Sequence, residues 1–572
     1  MRRCTSTTPG QDWPHACQAP DRFSAMTALR RRTAIAGLAA ALCLGLAACG
    51  SGSGDDAAKR SSIRIGSSMP DNYDPVLFQT TQATEPLQLV YTGLVTYRHA
   101  EGAAGTKVVP GLAEALPTVS ADRKTYVFKL RPGLKYSDGS PVEASDFEHT
   151  IKRLNHLGGM FAPFTASIAG IDEYRRSKSP DADISGITAD DAAGRITVKL
   201  SEPDGTFLNV IALPSAAPTP AAKSPFRGSR TIPGIGPYTI DVVDPARRFV
   251  LTKTPGFDLP GIAHGNIDTI TVTKGTVPRI TQDVIDGRLD YMTEDPAGDL
   301  LAQVRAKYPD RFRTDANPPN IYWFFLNHSI KPFSSLEVRR AVNDAIDSRA
   351  LQRVFGGLMA PTCNFLPPAY AGIGYRRIDP CPYGDPAGPG DVAKARRLVD
   401  ESGHKGEQVT VWGFSSDPIP QATEYLRDVL TRIGFKAKTR LVEQKVYFAT
   451  VGARHTKAQA GVAAYIQDFP HPADFLQPLL STSALANDPT SNFQMQGNPD
   501  VDRALERLGP QSDPAKVAGG WARADRSVIE HADVAVFGNQ LSTTFFSTRM
   551  NAKSCSGVHP VYKHDWSLFC LK

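Results

Sequence analysis

Residues 122–154 read DRKTYVFKLRPGLKYSDGSPVEASDFEHTIKRL, and the pattern in this stretch decides the fold. Tyr126, Phe128 and Leu130 alternate with Val127 and Lys129, the period of two that suits a half-buried strand. Arg131-Pro132-Gly133 turns the chain, and Leu134 to Tyr136 reads as a second short strand returning beside the first. Ser137-Asp138-Gly139-Ser140-Pro141 then punctuates it, because Asp and Gly tolerate the left-handed backbone of a tight turn and Pro ends pairing. Ser145 and Glu148 have the spacing of a capping box, in which hydroxyl and carboxylate satisfy orphan amides of an opening helix. Phe147, Ile151 and Leu154 follow at helical spacing. The expectation is a β-hairpin feeding a capped helix, with nothing catalytic in it.

Working outward, 572 residues exceed what one core holds, so two or three lobes are expected. The 41% apolar and 21% charged residues are ordinary for a globular chain. The formal charge of +6 is concentrated at the start: residues 1–48 hold six Arg and two Asp, a net +4, which leaves +2 for all the rest. That balance argues against a polyanionic partner such as nucleic acid.

Arg30-Arg31-Arg32 precedes an apolar run from Ala34 to Ala48, and Leu46-Ala47-Ala48-Cys49-Gly50 supplies small residues at a cleavage point. Together these describe an export signal over 1–48, too short for a transmembrane helix, with Met26 reading as the true start. Leu46-Ala47-Ala48-Cys49 looks like a bacterial lipobox, which implies a diacylglycerol on the Cys49 thiol and anchorage at the outer face of the cytoplasmic membrane. Residues 49–61, rich in Gly, Ser and Asp, read as a flexible tether. Four of the eight cysteines lie beyond it. An even count in an exported chain favours disulfides, and proximity pairs Cys363 with Cys381 and Cys555 with Cys570. No CxxC, HxxxH or HExxH spacing marks a metal site.

Along the chain, Ile63-Arg64-Ile65 begins a strand, Asn72-Tyr73-Asp74-Pro75 forms a turn, and Glu85 to Thr96 spaces its apolar residues like an amphipathic helix. Arg195 to Leu200 is a strand. Arg279 to Tyr291 contains a short helix capped by Gly287. Tyr322 to Asn327 reads as a buried strand. Ser334 and Glu337 have capping-box spacing before a helix face of Val338, Ala341, Val342, Ala345 and Ile346. Gly390 to Gly403 is a helix with Asp391 as its N-cap. Val409 to Trp412, Gln421 to Arg432 and Phe435 to Val442 form a βαβ unit, hence a parallel pair with a right-handed crossover. Val534 to Phe537 and Thr543 to Ser547 are strand-like.

The run Leu130-Arg131-Pro132-Gly133, Ser137-Asp138-Gly139 and Ser145-Asp146-Phe147 resembles the signature of the family 5 extracellular solute-binding proteins, the peptide- and nickel-type receptors of ABC importers. Gly234-Ile235-Gly236-Pro237-Tyr238 resembles that family's glycine-Pro-Tyr turn. Val338-Arg339-Arg340-Ala341 with Ala345-Ile346-Asp347 resembles its second signature. The resemblance spans about Ile63 to Gly557. It implies an α/β fold of the two-lobed, type II periplasmic-binding-protein kind with an additional inserted domain. Lobe I would be built from 62–90, 187–317 and 533–572, the extra domain from 91–186 and lobe II from 318–532. It further implies a monomeric receptor without cofactors. Such a receptor captures oligopeptides or dipeptides between its lobes and hands them to permease subunits, with no covalent chemistry.

Asp468 is the foremost site candidate. It follows an apolar run, precedes Phe469-Pro470-His471-Pro472, and so lies where a strand enters a rigid loop, the place where ligands settle on α/β sheets. A carboxylate there suits an α-ammonium through a charge-assisted hydrogen bond, and in peptide-binding relatives an Asp at the corresponding place clamps the substrate's amino terminus. Tyr465 matches an aromatic lining that pocket. Trp412 and Phe414 are candidate walls, and Asn72 and Tyr73 candidate polar contacts from the first lobe. Lys445 is the nearest candidate for a peptide carboxylate, with no Arg/His cluster near Asp468. A non-peptide ligand such as a nickel chelate or an oligosaccharide therefore stays as the alternative. A rival from another class is a secreted acyl-transfer enzyme of the penicillin-recognising kind, since Ser402-Gly403-His404-Lys405 matches S-x-x-K. That motif's Ser should open a helix, whereas Ser402 closes one, and no Lys-Thr-Gly follows.

Overall fold

Alternation of Ile63 and Ile65, Phe249 and Leu251, and Ile270 and Val272, all buried, marks the strands of the first sheet. A computed structural model describes residues 61–229, 232–296, 298–315 and 318–572. The export signal, Cys49 and nearly all of the expected tether lie outside the described residues. In the first sheet the strand order is Tyr291–Met292, Ser62–Ser67, Thr269–Lys274, Arg248–Lys253, Tyr238–Asp244. Ser62–Ser67 runs parallel to both of its neighbours and the remaining pairs are antiparallel.

The turn at 234–238 fixes this lobe by close approach. A Cβ on Gly236 would sit 2.1 Å from the Leu89 carbonyl oxygen and one on Gly234 2.4 Å from that of Val90. The Tyr238 amide donates to Leu89 O and the Thr92 amide to Ile235 O. These bonds claim the backbone of 89–92, so the helix expected over Glu85 to Thr96 is instead Thr81–Leu87, and Val95–Tyr97 is a strand.

The second, four-stranded sheet is antiparallel in the order Thr118–Val119, Thr125–Lys129, Arg195–Lys199, Ile187–Asp190. The alternation of Tyr126 and Phe128 is real, but the partners differ from the expected hairpin. Leu134 to Tyr136 forms no strand with 125–129; Lys135 bridges only Pro141 within its own loop. The sheet also takes in 187–199, so that segment pairs with the extra domain and not with lobe I.

Helix Ser145–His156 covers this sheet, but the expected capping box is not formed. Asp191, from the turn before Arg195–Lys199, accepts from the Ser145 amide at 2.8 Å and its hydroxyl at 3.0 Å. The reciprocal bond comes from Asp146, which accepts from the Glu143 amide at 3.0 Å. Arg153 on the same helix reaches back to Asp74 with two bonds of 3.3 and 2.7 Å, both side chains fully buried. This paired, hydrogen-bonded charge couples the extra domain to lobe I, whose apolar residues share one core with it.

The third sheet has six strands, ordered Met359–Ala360, Val534–Gln540, Asn320–Leu326, Ala460–Ile466, Gln408–Phe414, Lys436–Val442. The βαβ unit is present: Gln408–Phe414 and Lys436–Val442 are parallel and joined by helix Ile419–Ile433, which Gly434 ends at a φ of 116°. Strand Val534–Gln540 pairs with Asn320–Leu326, so this part of 533–572 belongs to the sheet of lobe II. Its successor, Thr543–Phe545, pairs with Phe312–Thr314, and these two segments carry the chain between the lobes. Helix Leu336–Ala345 is capped by Ser335 and not by Ser334, while Asp391 caps Val392–Ser402 as expected. Disulfides join Cys363 to Cys381 and Cys555 to Cys570. No helix among the described residues is long and apolar enough to cross a membrane.

Candidate functional site

Strand Ala460–Ile466 runs through the middle of the third sheet, buried over its first four residues, and ends in a loop that turns into helix Ala473–Leu480. The loop is held on both sides. The Gln467 amide donates to Pro319 O at 2.8 Å, and its side-chain amide reaches Pro560 O at 3.1 Å. Phe469 is buried in the core of the first lobe, edge-on to Phe164 at 5.2 Å, although by sequence it belongs to the second. His471 is fully buried against Trp521. Its Nδ1 accepts the Ala473 amide at 3.2 Å, so Nε2 carries the hydrogen and donates to Gln511 O at 3.2 Å. Burial keeps this imidazole neutral, its pKa lowered to about 4.

Asp468 sits at the crown of this loop, half-buried. Its Oδ2 accepts the Tyr465 hydroxyl at 2.6 Å. Its amide donates at 2.9 Å to Oδ2 of Asp474, a fully buried carboxylate whose Oδ1 lies 3.4 Å from the same Tyr465 hydroxyl. Burial raises Asp468 to about 6, with the tyrosine bond pulling the other way. Burial first, and then the charge of Asp468, holds Asp474 well above the ordinary carboxylate range. Among the described residues neither carboxylate forms an ion pair with Lys, Arg or His. An anionic centre between two lobes without a counter-ion is a place for a ligand's cation.

The structure brings Tyr465 and Asp468 together; the other candidates stand elsewhere. Trp412 is buried in the second core, stacked under the Arg440 guanidinium at 4.4 Å. Phe414 packs on Tyr447 and Phe448. Tyr73 is a core residue of the first lobe, edge-on to Phe249 with its hydroxyl on Pro245 O, and its pKa is pushed up to about 12 by burial. Asn72 accepts the Asp74 amide at 3.0 Å in a local turn. Lys445 is exposed and ion-paired with Glu443 at 2.8 Å.

The reading of the sequence missed Asp474, Tyr370 and Phe469. Asp474 was hidden by its position, because an acid in the first turn of a helix is ordinary. Tyr370, whose hydroxyl donates to His471 O at 3.0 Å, comes from a turn a hundred residues earlier and carries no local signal. The S-x-x-K serine is committed to its helix end: Ser402 Oγ donates to Val399 O at 2.8 Å, and Lys405 pairs with Asp400. No group of three or more His, Cys, Asp or Glu that would hold a metal occurs among the described residues.

The profile described as bacterial extracellular solute-binding proteins, family 5 middle, matches residues 107–487. The periplasmic oligopeptide-binding protein OppA of Escherichia coli K12 is 25% identical over 440 residues, 73% of this chain and 77% of OppA. The glutathione-binding protein GsiB of Escherichia coli O1:K1 / APEC is 26% identical over 430 residues, 71% of this chain and 75% of GsiB. Among solved structures, the clavulanic acid biosynthesis oligopeptide binding protein 2 superposes with a TM-score of 0.80 at 24% identity, covering 90% of this chain and 96% of that one. The fold is that of the type II periplasmic binding proteins, and with the profile spanning most of its length the chain belongs to the family 5 bacterial extracellular solute-binding proteins.

Proposed function

We infer that this chain is the substrate receptor of an ABC importer, that it takes peptides between its lobes, and that Asp468 bonds the ligand's amino-terminal ammonium. The observation that carries the reading is the Asp468 carboxylate, half-buried on a loop clamped between the two lobes and without a cationic partner among the described residues. Kinship with oligopeptide- and glutathione-binding proteins supports a peptide as the ligand class. The receptor works as a monomer without a cofactor, closes on the peptide about the two crossing segments, and presents it unaltered to the permease. Cys49, acylated after signal cleavage, tethers it to the outer face of the cytoplasmic membrane.

Asp468→Ala is expected to weaken peptide binding by more than about tenfold, because a desolvated ammonium loses its charged partner. Calorimetry with a peptide set checks this, and unchanged affinity rejects the role given to Asp468. For the tether, Cys49→Ser should move the protein from the membrane fraction to the soluble one. Retention in the membrane rejects lipidation at Cys49.

A further inference from the structure

The acid pair has more negative charge than its surroundings can hold, and this bears on what happens before a ligand arrives; the inference rests on the reading of Asp468 as the ammonium anchor. Tyr465 has one hydroxyl hydrogen. The 2.6 Å bond to Asp468 Oδ2 takes it, which leaves Asp474 Oδ1, 3.4 Å away, facing the same oxygen without a hydrogen between them. The other Asp474 oxygen is fixed on the Asp468 amide at 2.9 Å.

Among the described residues, the titratable groups that face the pair are neutral. They are Tyr465 on the strand, Tyr370 from its turn, Tyr97 from the first lobe, and His471 in the loop, which points its N–H at Gln511 O. Two carboxylates on one tyrosine hydroxyl, with no ion pair to Lys, Arg or His among the described residues, favour sharing a proton.

We propose that the empty site stores a proton on the Asp468–Asp474 pair and releases it to water when the ligand's ammonium docks on Asp468. The exchange balances. With its proton the pair carries one negative charge; with the proton gone and an ammonium bound, two negative charges face one positive, and the net charge of the site is unchanged. Asp474 is thus a positioning residue, holding the Asp468 amide and setting its charge without touching the ligand. The raised pKa values agree in direction: burial lifts Asp468 to about 6, and burial with the charge of Asp468 holds Asp474 well above the ordinary carboxylate range. Proton and ammonium compete, so affinity rises with pH by about tenfold per unit through neutrality, until the peptide's own amine deprotonates near about pH 8.

The test is calorimetry of the full chain with trialanine at about pH 7, in buffers of different ionisation enthalpy, which counts protons. The expected result is about one proton released per peptide. Asp474→Asn, whose carboxamide oxygen still accepts the Asp468 amide, should release almost none and lose the pH slope. Infrared difference spectra of the ligand-free chain, parent minus Asp474→Asn, give a check that needs no ligand: a protonated-carboxyl band at neutral pH that belongs to the pair, the buried Glu85 and Asp525 carboxyls, also raised, cancelling in the difference. Trialanine binding without proton release, or no such band, overturns the exchange and leaves the clamp intact. N-acetyl-trialanine binding as tightly as trialanine, or no binding of trialanine at all, instead defeats the ammonium clamp and the exchange with it.

Discussion

Tyr465 decides how much charge Asp468 presents to a ligand. Its hydroxyl bond, at 2.6 Å, is the one interaction that favours the ionised form of a carboxylate which burial otherwise pushes toward neutrality. Tyr465→Phe removes that bond and leaves the ring's packing on Phe475 intact. A half-buried acceptor stripped of its donor loses about 1 kcal/mol, and the loss falls on the anionic state that binds an ammonium. The expected outcome is peptide affinity severalfold lower at neutral pH, partly regained as pH rises and Asp468 is forced to ionise. Titration calorimetry across pH reads both effects. A Phe variant that binds like the parent at every pH would show that Tyr465 only packs.

At the scale of elements, what was legible in the sequence was local, and what was not depended on groups brought in from a distance. The βαβ unit was readable because helix Ile419–Ile433 has Pro in its first turn and Gly434 at its exit, signals that act within a few residues. The helix after the opening stretch was readable as a helix, yet its cap was not. Ser145 and Glu148 have the right spacing, but Asp191 takes the Ser145 amide and Glu148 pairs with Lys152 at 2.9 Å. The alternation over Tyr126 to Leu130 identified a strand without its neighbours, since half-buried strands look alike whichever partner they find; its long partner, Arg195–Lys199, lies some seventy residues downstream. The site divides the same way. Asp468 at a strand's end was legible from the apolar run before it. Asp474 and Tyr370 become functional only once the loop folds back on itself and a distant turn closes over it.

Across the whole molecule, the Asp468 loop serves at once as ligand anchor and as a contact between lobes. The second lobe reaches the first through Gln467 on Pro560 O and through Gly509 O on the Gly205 amide at 2.9 Å, and reaches the extra domain through Pro510 O on Arg123 at 3.2 Å. These are polar, and modest in water-exposed settings. The large apolar contribution is Phe469, 2% exposed, which the second lobe inserts into the first lobe's core. Truncating a buried Phe to Ala costs about 3–5 kcal/mol. If that contact forms only when the lobes close, the loss falls on closure and leaves the stability of each lobe nearly untouched. Phe469→Ala should therefore release bound peptide at least about tenfold faster, while the denaturant midpoint of the ligand-free protein moves little. Stopped-flow displacement of a fluorescent peptide measures the first and equilibrium unfolding the second. A variant that keeps the parent's release rate but loses several kcal/mol of folding stability would place Phe469 in a permanently joined core, and the two lobes would then not part at this loop.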